Sequence, residues 1–523
     1  MPGQDGGDSQ AMRFESILFA TTSGDESGDA LAAPECLTDL GLDQFIERLS
    51  RGREGYRLAA LFHQPLACAG LIAYRQAVMQ DIATAGVHEA LDRFTRTMRQ
   101  RQRELAQAAA MNDRLQAQRW QLEAAASYRR AVNELRAALD GVSLASAGLM
   151  AFRDYLNAYA CSEDFLAFCQ SLDRVTAALD AVHYTVLIED DAVEVRAFAG
   201  EADYLAEIEA AFAGLGPASQ SPAEPADRKD TLGLNVIEAG ILDRVAALFP
   251  EAFDQLAAFC RDEATHLDPT LARFEREVGF YLAYRELMTR LEADGVAFCY
   301  PELVTDKGAI RAEGVGDIAL AAGLAGSGEA IVTNDFAYEG RERVLVVTGP
   351  NQGGKTTFAR SVGQLHYLAA LGLPVPAREA RLLHVDAVLT HFDREEAISE
   401  QQGRLEADLW RTRAILDRAG PHTLVILNEL FQSTQAGDAA ALTRRLLTRL
   451  VERDALTVCV TFAAEAAAGE PAWVTMVSTR DPDDPQQPAY GVVRRQPDGR
   501  AHAETLAARH GLTPRALARR LAP

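Results

Sequence analysis

The chain has 523 residues, of which 48% are hydrophobic and 24% charged, a balance typical of a globular protein with two to four domains. Its formal net charge of −23 opposes non-specific attraction to nucleic acid, so any DNA binding must depend on a local basic surface. The seven cysteines form no C-x-x-C pair, which excludes a zinc ribbon, and no apolar run is long enough to span a bilayer. Because the N-terminus carries no targeting pattern, we expect a cytoplasmic protein with no membrane partner.

The composition changes twice along the chain. Residues 1–35 are rich in Gly, Ser and Asp and are expected to form a disordered tail with at most one short strand at Ser16–Ala20, whereas residues 36–294 have the apolar spacing of helices. Within this helical domain, two β-prone runs around an acidic turn predict a small hairpin over Tyr184–Arg196, and residues 216–230 form a Pro-rich linker. From about residue 295 to 523, strands and helices alternate, which predicts a separate α/β domain.

The segment from Val344 to Thr357 carries the most specific motif of the chain. It fits G-x-x-x-x-G-K-[ST], follows an apolar strand pattern and precedes a helical pattern. In such a loop, backbone amides surround an anion and the helix N-terminus adds its positive dipole. We therefore expect ATP, with the Lys355 ammonium on its β- and γ-phosphates and the Thr356 hydroxyl on Mg²⁺. The expected ATP-binding residues are Gly349, Pro350, Asn351, Gln352, Gly353, Gly354, Lys355, Thr356 and Thr357.

A second apolar strand, residues 423–427, is followed by Asn428 and Glu429. This is the layout in which a carboxylate holds Mg²⁺ and the next glutamate polarises the attacking water. Asn428 stands at the carboxylate position, so its amide oxygen is expected to reach Mg²⁺ through a bound water and to slow turnover. Glu429 keeps the position of the general base. We predict an ATPase with Glu429 and Lys355 as its catalytic residues.

Two further segments follow that strand. Ser433, Thr434 and Asp438 stand at the start of an Ala- and Leu-rich helix. Their polar groups either cap that helix or, as in dimeric ATPases, reach the γ-phosphate bound by a partner. The next apolar strand ends at Phe462, where a phosphate-sensing polar residue often stands.

These segments resemble the MutS family of DNA mismatch-repair ATPases. Residues 348–356 are similar to that family's Thr-Gly-Pro-Asn-Met-Gly-Gly-Lys-Ser loop, and Asn428 and Glu429 match its Asp-Glu pair. Thr434 and Asp438 fall at the Thr and Asp of its Gly-Thr-Ser-Thr-x-Asp-Gly signature. The resemblance extends more loosely to residue 36.

The resemblance implies a mixed fold, with an N-terminal all-α lever or core domain carrying a small β-hairpin, then a C-terminal α/β P-loop NTPase domain of the ABC type. It also implies a homodimer in which Ser433, Thr434 and Asp438 complete the neighbour's ATP site. Four features depart from the family pattern, the first of which is Asn428, where the family has aspartate. About 35 residues precede the lever region, so we expect no mismatch-recognition domain; Phe-Gln-Ser replaces Gly-Arg-Gly at 431–433; and Phe462 replaces the end of Ala-Thr-His. These departures argue against a mismatch sensor.

The best basic candidates for DNA contact lie on one predicted helix. Arg96, Arg99 and Arg103 are three and four residues apart and share a helix face, which suits a track of phosphates. The alternative is an ordinary solvated face. Binding through this face would be salt-sensitive and independent of sequence.

Three hypotheses follow from the sequence. The first is a dimeric, DNA-dependent ATPase that moves its levers around mismatched or branched DNA in repair. The second is an ATPase of the same fold that acts as a switch on a protein partner. The third is a nucleotide-binding scaffold with weak hydrolysis, which Asn428 and Phe462 favour.

Overall fold

The computed structural model describes residues 14–19, 33–189, 192–200, 236–350, 352–392, 401–462, 470–480, 488–496 and 512–513. The expected tail residues 1–13 and 20–32, the linker at 216–230 and Asn351 lie outside these ranges. The described chain is mixed α/β, with helices dominating up to residue 293 and a mostly parallel sheet in the C-terminal part, which confirms the predicted fold class at this level.

The described helices are α1 (Cys36–Asp39), α2 (Leu42–Ser50), α3 (Leu58–Phe62), α4 (Ala69–Ile82), α5 (Ala85–Ala110), α6 (Arg114–Asp140), α7 (Ala147–Ala160), α8 (Glu163–Asp180), α9 (Val236–Leu248), α10 (Pro250–Asp262), α11 (Pro269–Ala293), α12 (Ile318–Leu324), α13 (Lys355–Ala370), α14 (Gln401–Arg418) and α15 (Ala436–Glu452). The described strands are β1 (Tyr184–Glu189), β2 (Ala192–Ala197), β3 (Glu302–Val304), β4 (Ala309–Val315), β5 (Asn334–Glu339), β6 (Val344–Thr348), β7 (Glu379–Leu383), β8 (Ala387–Phe392), β9 (Thr423–Asn428), β10 (Leu456–Val460), β11 (Trp473–Arg480) and β12 (Pro488–Arg494).

The chain divides into two compact units. The described residues of unit 1 fall within 1–14, 84–144 and 150–275, and those of unit 2 within 15–83, 145–149 and 276–523. Residue 295, the boundary expected from the sequence, lies inside unit 2.

Unit 1 is built around the long helices α5 and α6. Val87, Leu91, Phe94 and Met98 recur at helical spacing along α5 and are buried, as the apolar periodicity predicts. The Asp113 side chain caps α6 by accepting a hydrogen bond from the Gln116 amide at 2.9 Å. The predicted hairpin is present as the antiparallel pair β1–β2, in which Tyr184 is opposite Ala197.

The described part of unit 2 contains two sheets. The larger has the strand order β12-β11-β6-β10-β9-β8, parallel except for β12, and its central strands β6, β9 and β10 are buried along their whole length. One face packs on α14 and α15 through a cluster that includes Val346, Leu427 and Leu447. The smaller sheet has the order β3-β7-β4-β5. Crossovers between parallel strands bring the strand ends to one edge of the large sheet.

Helix α13 is buried along most of its length in unit 2. Gln364, near its middle, is fully buried and donates hydrogen bonds to the Leu40 carbonyl at 2.8 Å and to Asp317 Oδ1 at 2.9 Å. Just past its C-terminus, the Leu371 carbonyl accepts a hydrogen bond from the buried Arg75 guanidinium at 3.1 Å. These bonds fix α13, and therefore the loop that leads into its N-terminus.

Residues 15–19 differ from the disordered tail that the sequence predicts. Ile17 and Leu18 are buried, the Ser16 hydroxyl donates to Glu277 Oε1 at 2.8 Å, and the Ile17 amide donates to Glu277 Oε2 at 2.9 Å. The two apolar side chains and the paired carboxylate bonds anchor this segment in unit 2. Among the described residues, every helix is too short or too polar to be a candidate membrane span.

Candidate functional site

The candidate site lies at the carboxyl edge of the large sheet. The loop of residues 349–354 joins the central strand β6 to α13, and β9 and β10 end beside it. Residues that are 70 or more positions apart in sequence therefore meet at this edge. Polar residues at the ends of parallel strands are the usual place for a ligand in an open α/β sheet.

The loop after β6 needs its glycines. Gly349 has φ 133° and Gly354 has φ 82°, backbone conformations that side chains with a Cβ rarely adopt. A Cβ atom at Gly349 would lie 2.1 Å from Ser478 Oγ, and one at Gly354 would lie 3.0 Å from the Tyr490 carbonyl oxygen. Residues of β11 and β12 therefore lie so close to the loop that only glycine fits at positions 349 and 354.

Lys355, the first residue of α13, points its side chain back into this loop. It is 4% exposed, and its Nζ donates to the carbonyls of Gly349 at 3.0 Å and Pro350 at 2.8 Å. The same Nζ lies 4.5 Å from the ring centroid of Phe462. Burial lowers the pKa of Lys355, and the nearby Glu429 carboxylate opposes that shift.

The residues predicted to serve the metal and the water meet next to Lys355. The Thr356 hydroxyl donates to Asn428 Oδ1 at 3.1 Å, which joins α13 to the end of β9. Glu429, the next residue, is partly exposed, and its amide donates to the Val460 carbonyl at 3.0 Å. The structure thus brings Lys355, Thr356, Asn428 and Glu429 together, as the sequence predicts for neighbouring strand ends.

One residue of the site was missed by the sequence analysis. The exposed Gln432 donates from Nε2 to Glu429 Oε2 at 2.7 Å and so fixes the orientation of this carboxylate. The turn that makes this contact is strained, because Glu429 has φ 56° and Phe431 has φ 59°. Glu429 and Gln432 are three residues apart in the sequence, and this spacing within one turn is the signal that could have indicated their hydrogen bond.

The segment expected to act in trans begins after this turn. Ser433 and Asp438 are exposed and Thr434 is partly buried. The N-cap residue of α15 is Gln435, and no side-chain capping bond forms there, so neither hydroxyl is used to cap the helix. Asp438 lies in the first turn, where its charge favours the helix dipole.

The arginines proposed for DNA contact belong to unit 1. Arg96 and Arg103 are exposed on α5, Arg96 forms an ion pair with Asp92 at 2.8 Å, and Arg99 is partly buried. Arg101, on the same helix, is 4% exposed and donates to the carbonyls of Thr265 and His266. Residues 85–140 nevertheless carry ten arginines against seven acidic residues, a basic excess in a chain of net charge −23.

Comparison with known proteins identifies relatives of the region that holds the site. Residues 345–476 match the family model described as MutS domain V. The DNA mismatch repair protein MutS of Granulibacter bethesdensis is 30% identical over 204 residues, which are 37% of this chain and 22% of that protein.

Two proteins named Endonuclease MutS2 are also similar. That of Thermus thermophilus is 32% identical over 190 residues, 36% of this chain and 25% of that protein. That of Lactococcus lactis is 33% identical over 217 residues, 40% of this chain and 27% of that protein. The chain thus spans about a quarter of the length of the curated relatives it matches. Residues 345–476, which contain the loop, the strand end at Asn428 and the turn at Glu429, thus belong to the MutS domain V family.

Proposed function

We propose that unit 2 is a P-loop NTPase of the ABC type that binds ATP at residues 349–357 and hydrolyses it with Mg²⁺. The observation that carries the proposal is the meeting of Lys355, Thr356, Asn428 and Glu429 at the edge of one sheet. A fold alone does not define a function, but this combination of an ammonium, two oxygen ligands and a carboxylate suits phosphoryl transfer.

The loop supplies the binding energy. The first amides of α13 have no carbonyl one turn earlier, so they are available to an anion at the helix N-terminus. The Lys355 ammonium, held inside the loop by the Gly349 and Pro350 carbonyls, adds a positive charge where the phosphates would lie. Residues 350–352 and 357 complete the proposed ATP contact.

The oxygen atoms at the site fit Mg²⁺. Thr356 Oγ1 and Asn428 Oδ1 are neutral hard oxygens 3.1 Å apart, and Mg²⁺ commonly binds few protein oxygens together with water and substrate phosphates. Among the described residues, no group of three or more His, Cys, Asp or Glu could hold a metal alone. The metal would thus be held jointly with the nucleotide, and when bound it would neutralise charge on the β- and γ-phosphates.

Glu429 is the residue that we assign to the attacking water. Its carboxylate is partly exposed, is oriented by Gln432 and acts electrostatically on Lys355. A carboxylate in this position accepts a proton from water or orients it for in-line attack. Asn428 offers no negative charge, so we expect slower turnover than with aspartate.

We further propose a homodimer. Ser433 and Asp438 are exposed and neither hydroxyl of this segment caps α15, so the segment has polar groups available to a neighbouring copy. With Thr434, these groups would contact the terminal phosphate bound by the partner.

For unit 1 we propose DNA contact that responds to the nucleotide, with the helices acting as levers in DNA repair. The support is the arginine excess of α5 and α6 and the names of the relatives, which include a DNA mismatch repair protein and endonucleases. The second candidate is a nucleotide-dependent switch or weakly hydrolysing scaffold without DNA. Asn428 and the Lys355–Phe462 contact favour it, as does the acidic net charge.

Nucleotide titration and steady-state hydrolysis test the ATPase. We expect Lys355→Ala to lose ATP binding, and Glu429→Gln to keep binding while hydrolysis falls by about 10²- to 10⁴-fold. A wild-type rate no faster than that of Glu429→Gln would leave the scaffold as the function.

Binding to duplex, mismatched and branched DNA at two salt concentrations, with and without ATP, tests the role of unit 1. The variant Arg96→Gln/Arg103→Gln should reduce the slope of log K against log salt by about 0.9 for each lost phosphate contact. Arg261→Gln, an exposed arginine beside Asp262 on α10, is the matched control. If no DNA binds even at low salt, the protein-partner switch replaces the DNA hypothesis.

A further inference from the structure

Phe462 makes an unusual contact for the end of a sheet strand. Its side chain is 49% exposed, and its ring centroid lies 4.5 Å from Lys355 Nζ. The face of an aromatic ring attracts a cation and repels an anion, because the ring quadrupole is negative on its face. The ring therefore stabilises the lysine on which the proposed phosphate contact depends.

The ammonium of Lys355 has three N–H groups, and the described part of the chain offers it three partners. Two are the carbonyls of Gly349 and Pro350, which belong to the loop backbone, and the third is the ring. A phosphate oxygen that bonds to this ammonium must displace one of them. The loop is fixed by the close approach of Ser478 and Tyr490, whereas the ring is half in solvent. Phe462 is therefore the partner that yields.

The position of Phe462 indicates which phosphate it opposes. β10 runs parallel to β9 with Val460 opposite Asn428, and the Glu429 amide donates to the Val460 carbonyl. Phe462, two residues further, and Glu429 therefore follow the ends of neighbouring strands, and both lie near Lys355. A water-activating carboxylate must lie near the terminal phosphate, because that phosphate is the one transferred.

We infer that Phe462 is a specificity residue that competes with the terminal phosphate of a nucleoside triphosphate for Lys355. This inference rests on the proposed ATP site and adds that the site discriminates between nucleoside triphosphate and diphosphate. The ring opposes the contact of Lys355 with the terminal phosphate more than its contact with the β-phosphate, so the bound nucleotide is biased toward ADP.

The test is calorimetric titration of the full chain with ADP and with a non-hydrolysable ATP analogue. Phe462→Leu keeps an apolar side chain but removes the ring, and it should bind the analogue about two- to fivefold more tightly, with a smaller gain in ADP affinity. Phe462→Tyr keeps the ring and should match the wild type. Because the side chain is half exposed, neither substitution should affect folding, which thermal unfolding checks.

The outcomes separate this inference from the proposed function. If the wild type binds neither ADP nor the analogue, the nucleotide site itself is wrong. If both bind but Phe462→Leu leaves their ratio unchanged, or weakens the analogue, the competition is overturned while the ATP site stands.

Discussion

The loop after β6 and the strand ends of β9 and β10 face the same site but are constructed differently. The loop contributes backbone groups to the site, and Gly349 and Gly354 have left-handed conformations next to closely packed neighbouring strands. The strand ends act through side chains, in which Asn428 contacts Thr356 and Gln432 contacts Glu429. A cradle of backbone amides tolerates no change of shape, whereas side chains at strand ends can be exchanged one at a time. We therefore expect substitutions in the loop to abolish nucleotide binding, and substitutions at the strand ends to change the rate of hydrolysis.

The largest effect should come from the loop. Gly349→Ala places a Cβ 2.1 Å from Ser478 Oγ at φ 133°, so the loop must distort. We expect a loss of about 1–3 kcal/mol in the free energy of unfolding and loss of measurable nucleotide binding. Urea unfolding and nucleotide titration measure both.

A matched glycine separates this effect from glycine replacement in general. Gly403 lies in α14, and a Cβ there meets nothing within 4 Å. Gly403→Ala should be neutral or stabilising by up to about 1 kcal/mol, with unchanged nucleotide affinity. If Gly349→Ala behaved like Gly403→Ala, the loop would not be the rigid part of the site.

At the strand ends, adding a negative charge should improve function, whereas the substitution in the loop abolishes nucleotide binding. Asn428→Asp puts a carboxylate where Thr356 already donates a hydrogen bond, so the Mg²⁺ concentration for half-maximal hydrolysis should fall by about tenfold. Asn428→Ala removes the oxygen and should raise it. Equal Mg²⁺ dependence in all three proteins would mean that residue 428 does not face the metal.

A smaller effect is expected for the residue that orients Glu429. Gln432→Ala removes a 2.7 Å hydrogen bond at an exposed position, which should lower kcat by about two- to tenfold and leave nucleotide affinity unchanged. Gln432→Glu, with similar size but no donor, should lower kcat further through like-charge repulsion. Gln435→Ala is the control, because Gln435 is exposed and makes no capping bond. A fall in affinity instead of kcat would assign Gln432 to binding.

The sequence predicts those features of the site whose pattern is local. The loop, its lysine and the pair Asn428–Glu429 stand within single segments, so strand pattern and motif place them correctly beside one another. The contacts of Phe462 with Lys355 and of Ser478 with the loop join residues more than 100 positions apart through the strand order. No periodicity encodes such pairs. For the same reason, the anchoring of Ile17 by Glu277 could not be read from a Gly-rich N-terminal composition.

The smallest expected effect is the change in nucleotide affinity with pH that the charge of Lys355 causes. Burial lowers its pKa below the usual 10.5, and phosphate binding needs the charged form. Affinity should therefore be full near pH 7 and be lost as the pH rises, earlier than for an exposed lysine. Titrations with ADP between about pH 7 and pH 10 measure this profile. Lys355→Arg stays charged throughout this range, so its affinity, though altered by the larger group, should not vary with pH from this cause. A wild-type profile as flat as that of Lys355→Arg would mean that the buried ammonium is not the group that the phosphates meet, and the loop would then bind through its backbone alone.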